Sequence, residues 1–82
     1  MKSYGSPQSL AQAEQQVLKT VSPQGIATIT LNRPEKHNAM TVPMRARLMR
    51  LIHECEQEPE VRVVVIEGRG KSFCSGNEIN ED

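Results

Sequence analysis

"VRVVVIEG", Val61–Gly68, is the stretch on which the fold turns. Val63, Val64, Val65 and Ile66 follow one another without a polar interruption, which reads as a strand covered on both faces, as in a parallel sheet. Just upstream, Pro59 stops whatever helix precedes it. That helix is legible. Met44, Leu48, Leu51, Ile52 and Cys55 make one apolar stripe at helical period, while Arg45, Arg47, Arg50 and Glu54 lie mostly off it. Thr41 is placed to cap the first turn, where Pro43 is tolerated, so the helix spans about 42–57.

Further upstream, "IATITL" (Ile26–Leu31) alternates Ile26, Thr28 and Thr30 with Ala27, Ile29 and Leu31, and its β-branched residues favour a strand. "SPQG" (Ser22–Gly25) before it suits a type I or II turn, which makes a hairpin with Val17–Val21. "EQQVLKTV" (Glu14–Val21) alone reads as a short strand or a helical turn. Strand, helix and second strand together give an α/β fold: a βαβ crossover with a parallel sheet. Met1 to Ala13 is polar, carries Gly5 and Pro7 and shows no period, so it reads as a flexible leader, with the folded region over 14–82.

Composition bounds the possibilities. Eighty-two residues suffice for at most one small domain. A chain of this size buries only about 60% of the surface its unfolded form exposes. The hydrophobic fraction is 37%, aromatics are 2% and Trp is absent, so the core must come from Val, Ile, Leu and Met. Ten basic and ten acidic residues cancel, giving no overall charge to draw the chain to nucleic acid or an anionic membrane. No stretch approaches the roughly 18 apolar residues of a membrane span, and the N-terminus has neither an apolar signal core nor an Arg-rich transit composition. A cytoplasmic location is the expectation. Cys55 and Cys74 form no CxxC and have no His at metal-ligand spacing, so they read as reduced thiols packed as small hydrophobes, with no metal site.

Several chemistries can be set aside. "GRGKSF" (Gly68–Phe73) lacks the upstream glycine of a phosphate loop, and no GxSxG makes a nucleophile of Ser75. His53 reads as a helix-surface residue; His37, beside Lys36 in a loop, could meet an anionic ligand. What remains is geometry. Ligands of an open parallel sheet bind beyond the carboxyl ends of its strands. Two loops leave those ends here, "NRPEKHNAM" and "GRGKSFCSGN", carrying Arg33, Lys36 and Lys71 with the small residues Ala39, Ser75 and Gly76. Such loops either form ordinary surface turns or present backbone N–H groups to a carbonyl oxygen that becomes an oxyanion.

"GIATITLNRPEKHNAM", "EPEVRVVVIEG" and "GKSFCSGNEI", in this order and spacing, resemble the amino-terminal part of the enoyl-CoA hydratase/isomerase (crotonase) family over about 17–82. "FCSGNEIN" is most similar to members of the Δ3,Δ2-enoyl-CoA isomerase type. The resemblance implies a spiral of ββα units, assembled as a homotrimer or hexamer, acting on acyl-CoA in fatty acid metabolism. Coenzyme A then enters as part of the substrate, and no cofactor is permanently bound. It implies that Asn77, after Gly76, donates one backbone N–H to the thioester oxyanion. Lys36, His37 and Ala39 then line the CoA moiety largely through backbone atoms, and Lys71 lies near its phosphates. Ser75, Gly76, Asn77 and Ile79 complete the implied binding set. Asn80 stands where a second lysine often contacts CoA, and Glu78 replaces the usual Asp while keeping its charge. The family's second oxyanion donor and catalytic carboxylates come from segments beyond the position of Asp82. The expectation is therefore an acyl-CoA-binding segment of a hydratase or isomerase. The alternative is a truncated, non-catalytic CoA-binding or oligomerisation module.

Overall fold

The computed structural model describes residues 7–78. In chain order these form helix α1 (Pro7–Gln16), strands β1 (Val17–Val21) and β2 (Ile26–Leu31), a 3-10 turn (Pro34–Lys36), helix α2 (Val42–Gln57) and strand β3 (Val63–Gly68). The sheet order is β1-β2-β3. β1 and β2 are antiparallel, with Val17 opposite Leu31 and Val21 opposite Ala27; β2 and β3 are parallel, from Ile26 beside Val63 to Leu31 beside Gly68. The strand–helix–strand unit and the hairpin anticipated from the sequence are both present.

The hairpin closes because Ser22 is bonded twice to Ile26, through backbone and Oγ, while Gly25 N–H donates to the Ser22 carbonyl. Gly25 has φ +86°, and a Cβ there would stand 2.5 Å from the Glu60 carbonyl oxygen. Only glycine fits that turn against the start of β3. Thr41 caps α2 as expected, its Oγ1 accepting from Met44 N–H at 3.2 Å. Such a cap stabilises a helix by about 1 kcal/mol.

The core is where the α2 stripe meets the inner face of the hairpin. Val17, Ala27, Ile29, Leu31, Met44, Leu51 and Cys55 are buried together, with Met40, Leu48, Ile52, Val61 and Cys74 packed against them. The alternation in β2 thus resolves as Ala27, Ile29 and Leu31 turned inward. Full burial of a side chain the size of Ile29 or Met44 contributes about 1.5–3 kcal/mol.

Two expectations are corrected. First, Pro7–Ala13, placed in a leader without regular structure, form most of α1, and Ala13 is buried. Ala11 to Gln16 are good helix formers, and α1 lies against α2. Ten residues make a marginal helix alone, so docking supports it. The pattern was too weakly apolar to show this. Second, β3 is not covered on both faces: Val63, Val64, Val65 and Ile66 are 53, 40, 41 and 37% exposed. The reason is positional: α2 packs mainly on β1 and β2, and β3, at the other edge of the sheet, has little of the helix over it. Among the described residues no helix is long and apolar enough to cross a membrane.

Candidate functional site

The loops that leave β2 and β3 come together at one end of the sheet. The first owes its shape to two successive left-handed residues, His37 (φ 53°) and Asn38 (φ 59°), after the Pro34 turn. Asn visits this region more readily than most residues. Backbone bonds from His37 to Pro34 O, Asn38 to Arg33 O and Ala39 to Lys36 O close the turn.

This curl buries the Asn38 side chain completely. Its Oδ1 accepts from Arg33 N–H at 2.7 Å, and its Nδ2 donates to the carbonyls of Arg69 and Ser72, each at 2.9 Å. Asn38 is therefore a buried side-chain cross-link between the loops. The sequence reading passed over it; the available signal was an Asn between a turn and a small residue, a position suited to left-handed backbone.

The second loop lies along the first. Ser75 N–H donates to His37 O, Met40 N–H to Gly76 O at 2.9 Å and Glu78 N–H to Met40 O at 2.8 Å, a parallel bridge pairing Met40 with Asn77. His37 Nδ1 lies 3.1 Å from Ser72 Oγ. Gly76, at φ +108°, takes a conformation that side-chain-bearing residues rarely adopt.

The bridge fixes the direction of one amide. The Gly76 carbonyl and the Asn77 N–H share a trans peptide, so they point opposite ways. Because Gly76 O is bonded to Met40, the Asn77 N–H faces away from Met40, and it has no hydrogen-bond partner among the described residues. Asn77 is exposed. By contrast, the N–H groups of Lys36, His37 and Ala39 are all committed inside the loop. The Ala39 carbonyl accepts from Arg33 Nη1 at 2.9 Å.

Lys36, His37, Lys71, Ser75 and Gly76 are exposed at this loop pair, and Ala39 is buried beneath it. Ile79 and Asn80 lie outside the described residues. Arg33, read from the sequence only as a loop charge, makes a half-buried ion pair with Glu78 at 3.1 Å. Cys55 sits in the core and Cys74 is half-buried, both as free thiols. Among the described residues no group of three or more His, Cys, Asp or Glu side chains could hold a metal ion. A groove between α1 and α2, lined by Leu10, Ala13, Pro43 and Arg50, is separate from the loop pair.

The sequence model of the family described as enoyl-CoA hydratase/isomerase matches residues 21–82, including both loops. The chain belongs to the enoyl-CoA hydratase/isomerase family. Relatives include 3-hydroxyisobutyryl-CoA hydrolase 1 of Arabidopsis thaliana, 37% identical over 54 residues, or 66% of this chain and 14% of the hydrolase. The 1,2-epoxyphenylacetyl-CoA isomerase of Escherichia coli is 35% identical over 57 residues, 70% of this chain and 22% of the isomerase. The crystal structure of an enoyl-CoA hydratase/isomerase from Mycobacterium paratuberculosis superposes with a TM-score of 0.76 at 38% identity, over 80% of this chain and 24% of that one. The chain thus spans less than a third of these family members, and its hairpin, α2 and β3 are the start of the crotonase fold.

Proposed function

We propose that this segment forms the thioester-binding half of an enoyl-CoA hydratase- or isomerase-type site, with the Asn77 backbone N–H donating to the carbonyl oxygen of an acyl-CoA. The observation that carries this is the Asn77 amide: exposed, without a partner among the described residues, and pinned on both sides by Met40. The names of the relatives differ in reaction, covering a hydrolase, an isomerase and a hydratase/isomerase, but all of them name a CoA ester. What such substrates share is a thioester carbonyl. Its oxygen gains negative charge both in an enolate and in a tetrahedral intermediate. A preorganised N–H aimed at that oxygen serves each of them, and losing one such donor costs about 10²–10³ in kcat.

On this reading the parent reaction is hydration of a 2-enoyl-CoA or migration of its double bond. Lys36 and Lys71 would meet the phosphates of CoA as compact charges. With the N–H and carbonyl groups of Lys36, His37 and Ala39 already bonded and Ala39 buried, Lys36 and His37 would line CoA by their side chains, over a floor to which Ala39 contributes. The second oxyanion donor and the acid–base carboxylates would come from outside residues 7–78. A homotrimer or hexamer belongs to the same reading.

Asn77→Pro in the intact protein removes the N–H, which takes no part in the bridge. Asn77→Ala keeps it. With crotonyl-CoA labelled with 13C at the carbonyl, wild type and Asn77→Ala should lower the thioester carbonyl stretch equally on binding, whereas Asn77→Pro, left with the second donor alone, should lower it distinctly less. Equal stretches for all three proteins would overturn the assignment.

A further inference from the structure

Arg33 stands behind the Asn77 amide. Its guanidinium is a two-armed fork, with Nη1 donating to Ala39 O at 2.9 Å and Nη2 to Glu78 Oε2 at 3.1 Å. Both arms lead toward Asn77. The Ala39 carbonyl belongs to the same peptide unit as the Met40 N–H, which donates to Gly76 O at 2.9 Å. The Gly76 carbonyl in turn belongs to the same unit as the Asn77 N–H. In a trans peptide the carbonyl and N–H are opposed, so the groups run head to tail. Arg33 Nη1–H meets Ala39 O, Met40 N–H meets Gly76 O, and Asn77 N–H faces the open side. The second arm holds the residue after Asn77, whose own N–H donates to Met40 O at 2.8 Å.

We propose that Arg33 is a positioning residue that polarises the Asn77 N–H through these two peptide units and fixes its direction, making it a stronger donor to a thioester oxyanion. The inference rests on the role given to Asn77 above. A cation at the carbonyl end of a peptide draws density toward itself and leaves the N–H more positive. Chains of hydrogen bonds reinforce one another by roughly 10–30% per bond. The fork is well placed for this, because the Arg33 and Glu78 side chains are only 13 and 21% exposed and a sheltered charge is screened less than a surface one. The Glu78 carboxylate holds the fork in place and offsets part of its charge. Lysine substitutes only in part, since one ammonium group keeps the charge but lacks the planar fork that reaches both acceptors.

The test uses the intact protein and the same 13C-labelled crotonyl-CoA, with kcat, KM, the bound carbonyl stretch and the melting temperature as readouts. Arg33→Met should lower kcat by about tenfold, less than loss of the donor itself, with KM within about twofold and the stretch moved part-way back toward its free value. Arg33→Lys should fall between Arg33→Met and wild type. Glu78→Gln keeps an oxygen to accept from the fork but removes the negative charge, so it should move the stretch further from the free value. A purely structural role for Arg33 predicts no such opposite shift. If Arg33→Met does not fold, Arg33→Lys and Glu78→Gln decide: opposite shifts support the proposal, and failure of either to shift overturns it. If Arg33→Met folds and matches wild type in stretch and kcat, the relay is wrong. Should Asn77→Pro still move the stretch in that case, only the relay fails; should it not, the role of Asn77 fails with it.

Discussion

The loop pair and β3 sit side by side and are built in opposite ways. In the loop pair nearly every inward polar group has a partner within the segment: Asn38 makes three side-chain bonds, Arg33 makes two, and Met40 is bonded through both N–H and carbonyl. β3 is apolar in sequence yet exposed, with one edge on β2 and no second strand beside it among the described residues. The loops are specified by hydrogen bonds that begin and end within the segment, so residues 7–78 carry them entire. The apolar run of β3 is specified for burial, which needs a covering layer that residues 7–78 do not supply. An uncovered apolar edge of this kind invites pairing with another strand.

The comparison breaks first at Asn38. Asn38→Leu removes all three side-chain bonds at a fully buried position and leaves Arg33 N–H and the Arg69 and Ser72 carbonyls unsatisfied. Each stranded buried group costs about 1–3 kcal/mol, so a loss of about 3 kcal/mol or more in urea unfolding is expected. Asn38→Asp keeps the acceptor for Arg33 N–H but sets a buried carboxylate oxygen against the Arg69 and Ser72 carbonyls, so at neutral pH it should cost at least as much as Leu. If Asn38→Leu costs under about 1 kcal/mol, the loop pair is not self-supporting and the contrast with β3 collapses.

The same contrast explains what could be read from the sequence. The hairpin, α2 and its cap were legible because each has a local cause: a Pro-Gly turn, a stripe at helical period, a Thr before the first turn. The meeting of the two loops followed from the parallel pairing of β2 with β3. Asn38 and the Arg33 fork were not legible, since three of their five side-chain bonds reach partners 31 to 45 residues away and no periodicity marks such contacts. α1 escaped for another reason. Its helix rests on propensity and on Ala13 docking, and neither leaves an apolar stripe. The failed expectation for β3 is the instructive one. A continuous apolar run reports the environment a strand is built for, and residues 7–78 hold only part of it.

Val64→Thr sharpens the β3 side. Val64 is 40% exposed, so in a protein comprising residues 7–78 the substitution should change urea stability by no more than about 0.5 kcal/mol. In an intact protein that covers β3, a buried hydroxyl without a partner should cost about 1–3 kcal/mol. Equal small costs in both would mean that β3 stays open and that its apolar run serves another purpose.

The smallest effect lies in neither region and serves as their control. Lys19 of β1 reaches across to Glu54 of α2 and to Glu58, the residue that caps its C-terminus, tying the hairpin to the helix. Hydrogen bonding to Glu58 is the main cause of a Lys19 pKa above the ordinary 10.5, with Glu54 adding to it and desolvation opposing. A raised pKa means the folded state holds the proton more tightly than the unfolded chain does. The tie therefore contributes in full below pH 10.5 and is lost as pH rises through the higher folded value. Because Glu54 and Glu58 are substantially solvent-exposed, Lys19→Met should cost less than about 1 kcal/mol at neutral pH. The difference between Lys19→Met and wild type should stay flat through the neutral range and shrink only above pH 10.5. It should also leave the carbonyl stretch of bound crotonyl-CoA unchanged. A shifted stretch would mean that the loop pair draws its geometry from the hairpin–helix packing, and not from Asn38 and Arg33 alone.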